Sequence, residues 1–372
     1  MYRIWVEISL DQLAANYHAV RLVVGEGVVV APVLKADAYR HGSVEVAHRL
    51  QQEGAQWVAV SNAEEGVVLR ESGIRLRILV MGDFLPHERD ALVEYSLTPV
   101  IHSLERLKEY DRMAEALDRI LPCHLKLDTG MGRLGVRATP QQTAESVAAA
   151  RHLYVEGLMT HFASASDFST SQTAEQIARY EDVLQTMGQM GIQPPLQHLG
   201  SSATIAYGIR QAFGTMVRPG LAIYGYITPS KGAAPQPELN VLPALTWKSR
   251  LVEIKEIPEG AQVGYGATWR TQRTTRLGIV AAGYADGIPH ALSNRGQVIV
   301  DGYLAPIVGA VSMDLITVDL NGVPPARVGD TVTLLGRENG VRWDAEDIAA
   351  AAGTISYSVL CGIGNRVKRV YV

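Results

Sequence analysis

Over residues 10–230, short apolar runs alternate with longer amphipathic stretches, and beyond 230 the pattern changes to period-two alternation with turn residues at short intervals. The first texture predicts repeated strand–helix units on a parallel sheet. Eight apolar runs qualify as strands: 28–34, 57–60, 78–81, 97–101, 123–127, 154–160, 196–199 and 217–224. Amphipathic stretches between them predict helices over 43–53, 63–71, 103–117, 141–150 and 173–190. Eight such units fit a (β/α)8 barrel, whose usual span is about 250 residues; a doubly wound open sheet is the structural rival. The segment ITPSKGAAPQPELN after Tyr226 reads as a linker. The strand-like segments that follow predict an antiparallel β domain or small barrel. The predicted class is therefore α/β plus β: an N-terminal TIM-like barrel over 10–230, then a C-terminal mostly β domain over 231–372, joined by an N-terminal strand in residues 1–9.

This partition draws attention to Lys35 in VLKADAYRHG, which the apolar run 28–34 carries to the C-terminal end of a strand. Parallel α/β folds keep their chemistry at that end. An amine held in an apolar pocket is driven toward its neutral form, which condenses with aldehydes. The segment HLKLDTGMGRLGV turns from strand into a glycine-rich loop holding Arg133, whose forked guanidinium suits a carboxylate. HLGSSAT and VRPGLAIYG, at the ends of the seventh and eighth strand candidates, offer backbone N–H groups and the Ser202 hydroxyl to a phosphate, where barrels commonly place one. An aldehyde-reactive lysine with a phosphate cradle suggests pyridoxal 5'-phosphate.

Composition narrows the classes. The 372-residue chain has 19% charged residues and a net charge of -4, which gives no electrostatic footprint for nucleic acid or an anionic membrane. A small-molecule ligand is the default. Two cysteines, Cys123 and Cys361, build neither a disulfide framework nor a metal knuckle, which fits a reducing cytoplasm. The opening MYRIWVEISL, with Arg3 and Glu7, predicts neither a signal peptide nor a membrane span.

Along essentially its whole length the chain resembles the bacterial alanine racemases, fold-type III enzymes dependent on pyridoxal 5'-phosphate. The stretches that carry the resemblance are WVEISLDQLAANY, VLKADAYRHG, KLDTGMGRLG, THFASASD, SSAT, VRPG, VGYGATW, AAGYADG, VSMD and ISYSVL, in that order. The resemblance implies that Lys35 holds the cofactor as a Schiff base and serves as one proton-transfer base, with Tyr265 of VGYGATW as the other. It implies that Tyr39, Ser202, Tyr357 and the backbone at Gly220 and Leu221 hold the phosphate. Arg218 of VRPG would face the pyridine nitrogen, with His161 bridging it to Tyr265. Arg133 and Met313 would hold the substrate carboxylate, Tyr284 would line the entrance, and Lys126, seven residues before Arg133, would be carbamylated. No metal is implied. Tyr265 and Met313 would serve the partner subunit's site, so the resemblance implies a homodimer with composite sites acting on L-alanine and D-alanine for peptidoglycan synthesis.

Two departures from the family's common form stand out: His290 in GYADGIPHAL where an arginine is usual, and Ser201 where an asparagine often precedes the phosphate serine. A fold-type III decarboxylase is the rival enzyme reading, but such enzymes place a glutamate where Arg218 stands. A serine or broad-specificity racemase also fits these motifs. A non-catalytic cofactor carrier built from the barrel alone is the rival from a different class, and the long β domain with Tyr265 argues against it.

Overall fold

The computed structural model describes residues 2–82 and 84–372, so the first residue of the 1–9 segment lies outside it. The chain folds as two compact units. One comprises Gln12–Ala38 and Ser43–Leu242; the other comprises the N-terminal segment to Asp11, Tyr39–Gly42 and Pro243–Val372.

Strand β1 (Ile4–Ile8) belongs to the second unit, and the first unit contains eight parallel strands: β2 (Val29–Val30), β3 (Trp57–Val60), β4 (Arg77–Val80), β5 (Thr98–Ile101), β6 (Leu121–Lys126), β7 (Leu153–Met159), β8 (Leu196–His198) and β9 (Met216–Val217). Strands β3 to β8 pair in sequence order and β2 pairs with β9. Parallel bridges Val33↔Ala59 and Ser201↔Arg218 join these two sheets, closing the ring of a barrel. Most of these strands are buried along their length, so they read as unbroken apolar runs. Helices return the chain between strands, and Ala63–Glu71 and Leu104–Ala116 each start at a side-chain cap, Asn62 and Ser103.

Two expected strands are shorter in the structure. In the 28–34 run the regular strand is only Val29–Val30, although Ala31 N–H still donates to the Val217 carbonyl (2.9 Å) and Val33 N–H to that of Pro219 (2.9 Å), on either side of Pro32, which has no N–H to donate. The 217–224 run is a strand only through Val217; Pro219 and Gly220 end it, and Leu221–Tyr224 forms a buried 3-10 turn. Linker residues up to Leu242 stay with the barrel unit, where buried Asn16 donates to the carbonyls of Ile223 (3.0 Å) and Leu242 (2.9 Å).

The second unit is built on β10 (Leu245–Ile257), with β11 (Gln262–Val263), β12 (Trp269–Arg270), β13 (Thr275–Val280), β14 (Gln297–Val300), β15 (Tyr303–Pro306), β16 (Ile316–Asp319), β17 (Thr331–Glu338), β18 (Val341–Trp343) and β19 (Lys368–Tyr371). β10 pairs antiparallel with β1, β17 and β13, and the β10–β13 register shifts between Leu251 and Glu253. β1 lies between β10 and β19, so the N-terminal strand is an interior member of this sheet.

Candidate active site

A parallel barrel brings the C-terminal ends of its strands to one mouth, and the candidate residues of this unit stand there. Lys126 is the last residue of β6, His161 follows β7, His198 ends β8 and Arg218 follows β9.

Lys35 is carried by a left-handed turn rather than by the strand itself. Ala36, Asp37, Ala38, Tyr39 and Arg40 all have φ between 52° and 67°. Such winding costs roughly 1–2 kcal/mol per L-residue, so the surroundings must enforce it. Ala36 N–H donates to Glu65 Oε1 (2.7 Å), whose second oxygen accepts from Ser61 N–H (2.7 Å), and Asp37 Oδ1 accepts from Ser43 N–H (2.8 Å).

Arg133 rides on a loop organised by Asp128, whose Oδ1 accepts from the N–H groups of Gly130 (3.2 Å), Met131 (2.9 Å) and Gly132 (2.9 Å). Burial pushes that carboxyl up, but these N–H groups and Arg137 outweigh it and hold it below the usual range. Gly135 is required here: with φ 133°, an added Cβ would sit 2.5 Å from the backbone nitrogen of Asp128.

Arg218 is 3% exposed, and its terminal nitrogens are committed. One donates to His198 Nδ1 (2.9 Å) and the His198 carbonyl (2.5 Å); the other donates to the carbonyls of Thr160 (2.8 Å) and Leu199 (3.3 Å). Burial pushes its pKa down to about 10, still far above neutrality, so it remains a cation. Its Nε finds no acceptor among the described residues.

Ser202 Oγ accepts from the N–H groups of Gly220 (3.0 Å) and Ala222 (3.1 Å). Both lone pairs are thus engaged, and the hydroxyl hydrogen remains to be donated. Ser202 also opens the short helix Ser202–Ala206, beside the turn that begins at Leu221.

Electrostatics groups the remaining members. Burial, then Arg218, Arg133 and Lys35 against an opposing Asp128, push the Lys126 ammonium down to about 8. Burial, then Arg218, Lys126, Arg133 and Lys35, hold the His161 imidazole at about 3. Lys35, Lys126, Arg133, His161 and Arg218 therefore share one cation-rich region. Lys126 is 5% exposed and has no ion pair among the described residues. Such a region suits anionic groups.

Gln176 was not singled out from the sequence, yet it is fully buried, donates to Thr129 Oγ1 and the His161 carbonyl (both 3.1 Å), and accepts from Ala163 N–H (3.0 Å). His198 was likewise missed as a side chain, although it opens the HLGSSAT motif. In the second unit, Tyr39 and Tyr357 pack with ring centroids 5.9 Å apart. Tyr265, Tyr284 and Met313 are 77%, 46% and 53% exposed, which is unusual for large apolar side chains. Tyr284 N–H donates to the Ser312 carbonyl (3.0 Å) and Ala285 N–H to that of Met313 (3.0 Å), so Tyr284 and Met313 are neighbours. His290 packs its ring 6.5 Å from that of Tyr284. Among the described residues no three His, Cys, Asp or Glu side chains cluster as metal ligands, and no helix is long and apolar enough to cross a membrane.

The residues fit pyridoxal 5'-phosphate: Ser202 has a hydroxyl hydrogen left that would suit a phosphate oxygen, Arg218 is a buried cation that would suit a ring nitrogen, and Lys35 would supply the amine. Comparisons with known proteins agree. Residues 8–228 match the family model "Alanine racemase, N-terminal domain" and residues 244–371 match "Alanine racemase, C-terminal domain". The chain is 41% identical over 371 residues to an alanine racemase of Halothermothrix orenii, covering 99% of this chain and 96% of that one. It is similar to the solved alanine racemase of Clostridium difficile (32% identity, TM-score 0.93, 100% of this chain and 96% of that one). It is also similar to the Bartonella henselae alanine racemase with covalently bound pyridoxal phosphate (26% identity, TM-score 0.88, 100% of both chains).

Proposed function

Because the chain belongs to the alanine racemase family, we propose that it interconverts L-alanine and D-alanine with pyridoxal 5'-phosphate, as a homodimer whose sites each draw on both subunits. The observation that carries this reading is Arg218, a buried cation pinned by one ring nitrogen and three carbonyls. A guanidinium donates a hydrogen bond to a pyridine nitrogen without surrendering its proton. A carboxylate, the partner that decarboxylases of this fold use, could not occupy a position surrounded by four acceptors.

When bound, the cofactor supplies an electron sink that loosens the hydrogen on the substrate's α-carbon. The protein does the rest. Ser202, the N–H groups at Gly220 and Leu221, Tyr39 and Tyr357 hold the phosphate. Arg133 and the Met313 backbone hold the substrate carboxylate. Lys35 Nζ moves the α-proton on one face and the Tyr265 hydroxyl on the other, since inversion needs removal and return on opposite sides. His161, kept neutral, links Arg218 to Tyr265, and Tyr284 lines the entrance. Lys126, carbamylated, becomes an anion that holds the Arg133 guanidinium.

Exposure of Tyr265, Tyr284 and Met313 on the β unit supports a role in the partner's site. Cys123 and Cys361, which form no disulfide, suit a reducing cytoplasm, and the product D-alanine suits peptidoglycan synthesis.

Borohydride reduction of the loaded protein followed by peptide mapping is expected to label Lys35; a label elsewhere overturns the cofactor assignment. Turnover of L-alanine in heavy water is expected to give deuterated D-alanine, whereas release of carbon dioxide favours a decarboxylase. For the dimer, mixing inactive Lys35→Ala and Tyr265→Phe proteins should restore about a quarter of wild-type activity, because isologous pairing leaves one intact site in each mixed dimer. No recovery means that each site belongs to a single chain.

A further inference from the structure

Beneath Arg218 the barrel unit carries a row of polar side chains that the chemistry above does not use. His198 Nδ1 lies 2.9 Å from Arg218 NH1, and His198 Nε2 lies 2.7 Å from His124 Nδ1. His124 Nε2 faces Glu156 Oε1 at 3.5 Å, and the same oxygen lies 2.6 Å from Arg77 NH2. Both histidines are fully buried and Glu156 is 4% exposed. The row starts beside Val217 at the end of β9, crosses β8, β6 and β7, and finishes at Arg77, the first residue of β4. It therefore connects the catalytic mouth with the opposite end of the barrel.

The protons in this row have only one arrangement. Arginine has no acceptor, so His198 Nδ1 must be bare and accept from Arg218. His198 must then carry its hydrogen on Nε2 and donate it to His124 Nδ1, which is bare in turn. His124 must carry its own hydrogen on Nε2, which makes no hydrogen bond to a described residue and faces the Glu156 carboxylate at ion-pair distance, 3.5 Å. The reverse direction would leave His198 without a hydrogen on either nitrogen, as an imidazolate. Burial pushes both imidazoles below their ordinary value, His198 well below it, with Glu156 opposing this at His124. Burial pushes the Glu156 carboxyl up, but His124 and Arg77 outweigh it and keep the carboxylate ionised.

The backbone makes room for this row. A Cβ at Gly157 would stand 2.3 Å from His124 Nδ1, and the β6–β7 register shifts between Cys123 and His124. Trp57 packs its ring 5.4 Å from that of His124 and carries the Arg77 guanidinium 4.0 Å above its own centroid, so the terminal carboxylate is itself held on both sides.

We propose that Glu156 is a positioning residue for racemisation: its carboxylate, facing the Nε2–H edge of His124 at the end of this one-way row, holds the two imidazoles in place, and through them Arg218 toward the cofactor ring. The proposal rests on the cofactor reading above. The competing possibility is that the row only stabilises the barrel.

Two measurements decide. Nitrogen-15 histidine NMR of the holoenzyme, with His124→Asn and His198→Asn used for assignment, is expected to show both rings neutral with the hydrogen on Nε2. A hydrogen on Nδ1 of either ring, or a cationic ring, overturns the row. Kinetics and the absorption spectrum of the bound cofactor then compare Glu156→Leu with Glu156→Gln. Gln retains an oxygen that can accept from His124, and Leu does not. Misplacement of a group at a reacting centre costs up to about 100-fold, so Leu is expected to lower kcat by about tenfold or more with KM little changed and to shift the cofactor absorption. Gln is expected to recover most of both. Loss of melting temperature with unchanged kcat and spectrum in Leu, or a Gln variant as impaired as Leu, overturns the proposal. Should Leu fail to fold, the wild-type tautomers and the Gln variant still decide. A wild-type protein that takes up no cofactor sinks the reading underneath instead, and the tautomers, measured in the unloaded protein, remain a separate result.

Discussion

Replacing Gly157 by alanine places a methyl carbon 2.3 Å from His124 Nδ1, 2.5 Å from Cγ and 2.7 Å from Cε1. The φ of Gly157 is not in the left-handed region, so the backbone accepts alanine and the whole cost falls on the imidazole. Contact between such atoms is comfortable at about 3.5 Å, which requires the ring to retreat by about 1 Å. No such space exists: the ring is fully buried, with Trp57 and His198 at centroid distances of 5.4 and 4.8 Å. Retreat stretches the 2.7 Å bond to His198 beyond hydrogen-bonding range. Overpacking costs about 1–3 kcal/mol and an orphaned buried nitrogen about another 1–3, so the variant should lose about 2–6 kcal/mol. Gly188, in the helix Gln172–Gln189, is the control, since a Cβ there meets nothing within 4 Å and its φ is likewise not left-handed. Alanine at 188 should stabilise by about 0.5–1 kcal/mol. Urea unfolding of both variants at equal, saturating cofactor, followed by circular dichroism, should therefore move the midpoints in opposite directions. A Gly157→Ala midpoint equal to wild type, or a variant crystal structure with the His124–His198 bond intact, refutes the reasoning.

Other consequences can be tested by standard assays. Tyr265→Phe should cut turnover by about 100-fold to 10,000-fold while leaving cofactor content unchanged, and a loss below about tenfold in a chiral alanine assay rejects the second base. Ser202→Ala removes the acceptor for two N–H groups and the hydroxyl aimed at the phosphate; a hydrogen bond to a charged group contributes about 1.5–3 kcal/mol, so equilibrium dialysis should show cofactor affinity falling by about 10-fold to 100-fold. Lys126, depressed from 10.5 to about 8 mainly by burial, is increasingly neutral above that pH, and the neutral amine is the form that captures carbon dioxide. A carbon-13 carbamate signal in labelled bicarbonate should grow as pH rises through about 8 and vanish in Lys126→Ala; its absence from wild type rejects the modification. With the modification excluded by degassing, the unfolded chain holds this proton up to 10.5 but the native chain only to about 8, so the contribution of Lys126 to stability rises with pH between those values.

What the sequence disclosed about this fold is what periodicity encodes. Buried parallel strands announce themselves as apolar runs, and Ser103 or Asn62 ahead of an amphipathic stretch marks a helix start by the chemistry of its cap. Prolines limited the reading: Pro32 and Pro219 sit inside apolar runs whose regular strands, Val29–Val30 and Met216–Val217, are shorter than side-chain pattern alone predicts. The left-handed turn from Ala36 to Arg40 was illegible because none of its residues is glycine, and the bonds that enforce it come from Glu65 and Ser43. Lys35, Arg133, Ser202 and Arg218 were legible because they stand in motifs. His124, Glu156 and Arg77 are spread over three strands and look like isolated polar residues until the barrel closes. Gln176 is hidden on a helix whose apolar stripe gave no reason to single out its amide.

The hydrogen order beneath Arg218 has a consequence for charge movement. Every link in it points the same way, and at its upper end stands a guanidinium without a lone pair. Relay of a proton toward the mouth would have to stop there with no atom to receive it. This row is therefore an insulator: it passes on orientation but cannot deliver the hydrogen ions exchanged during inversion.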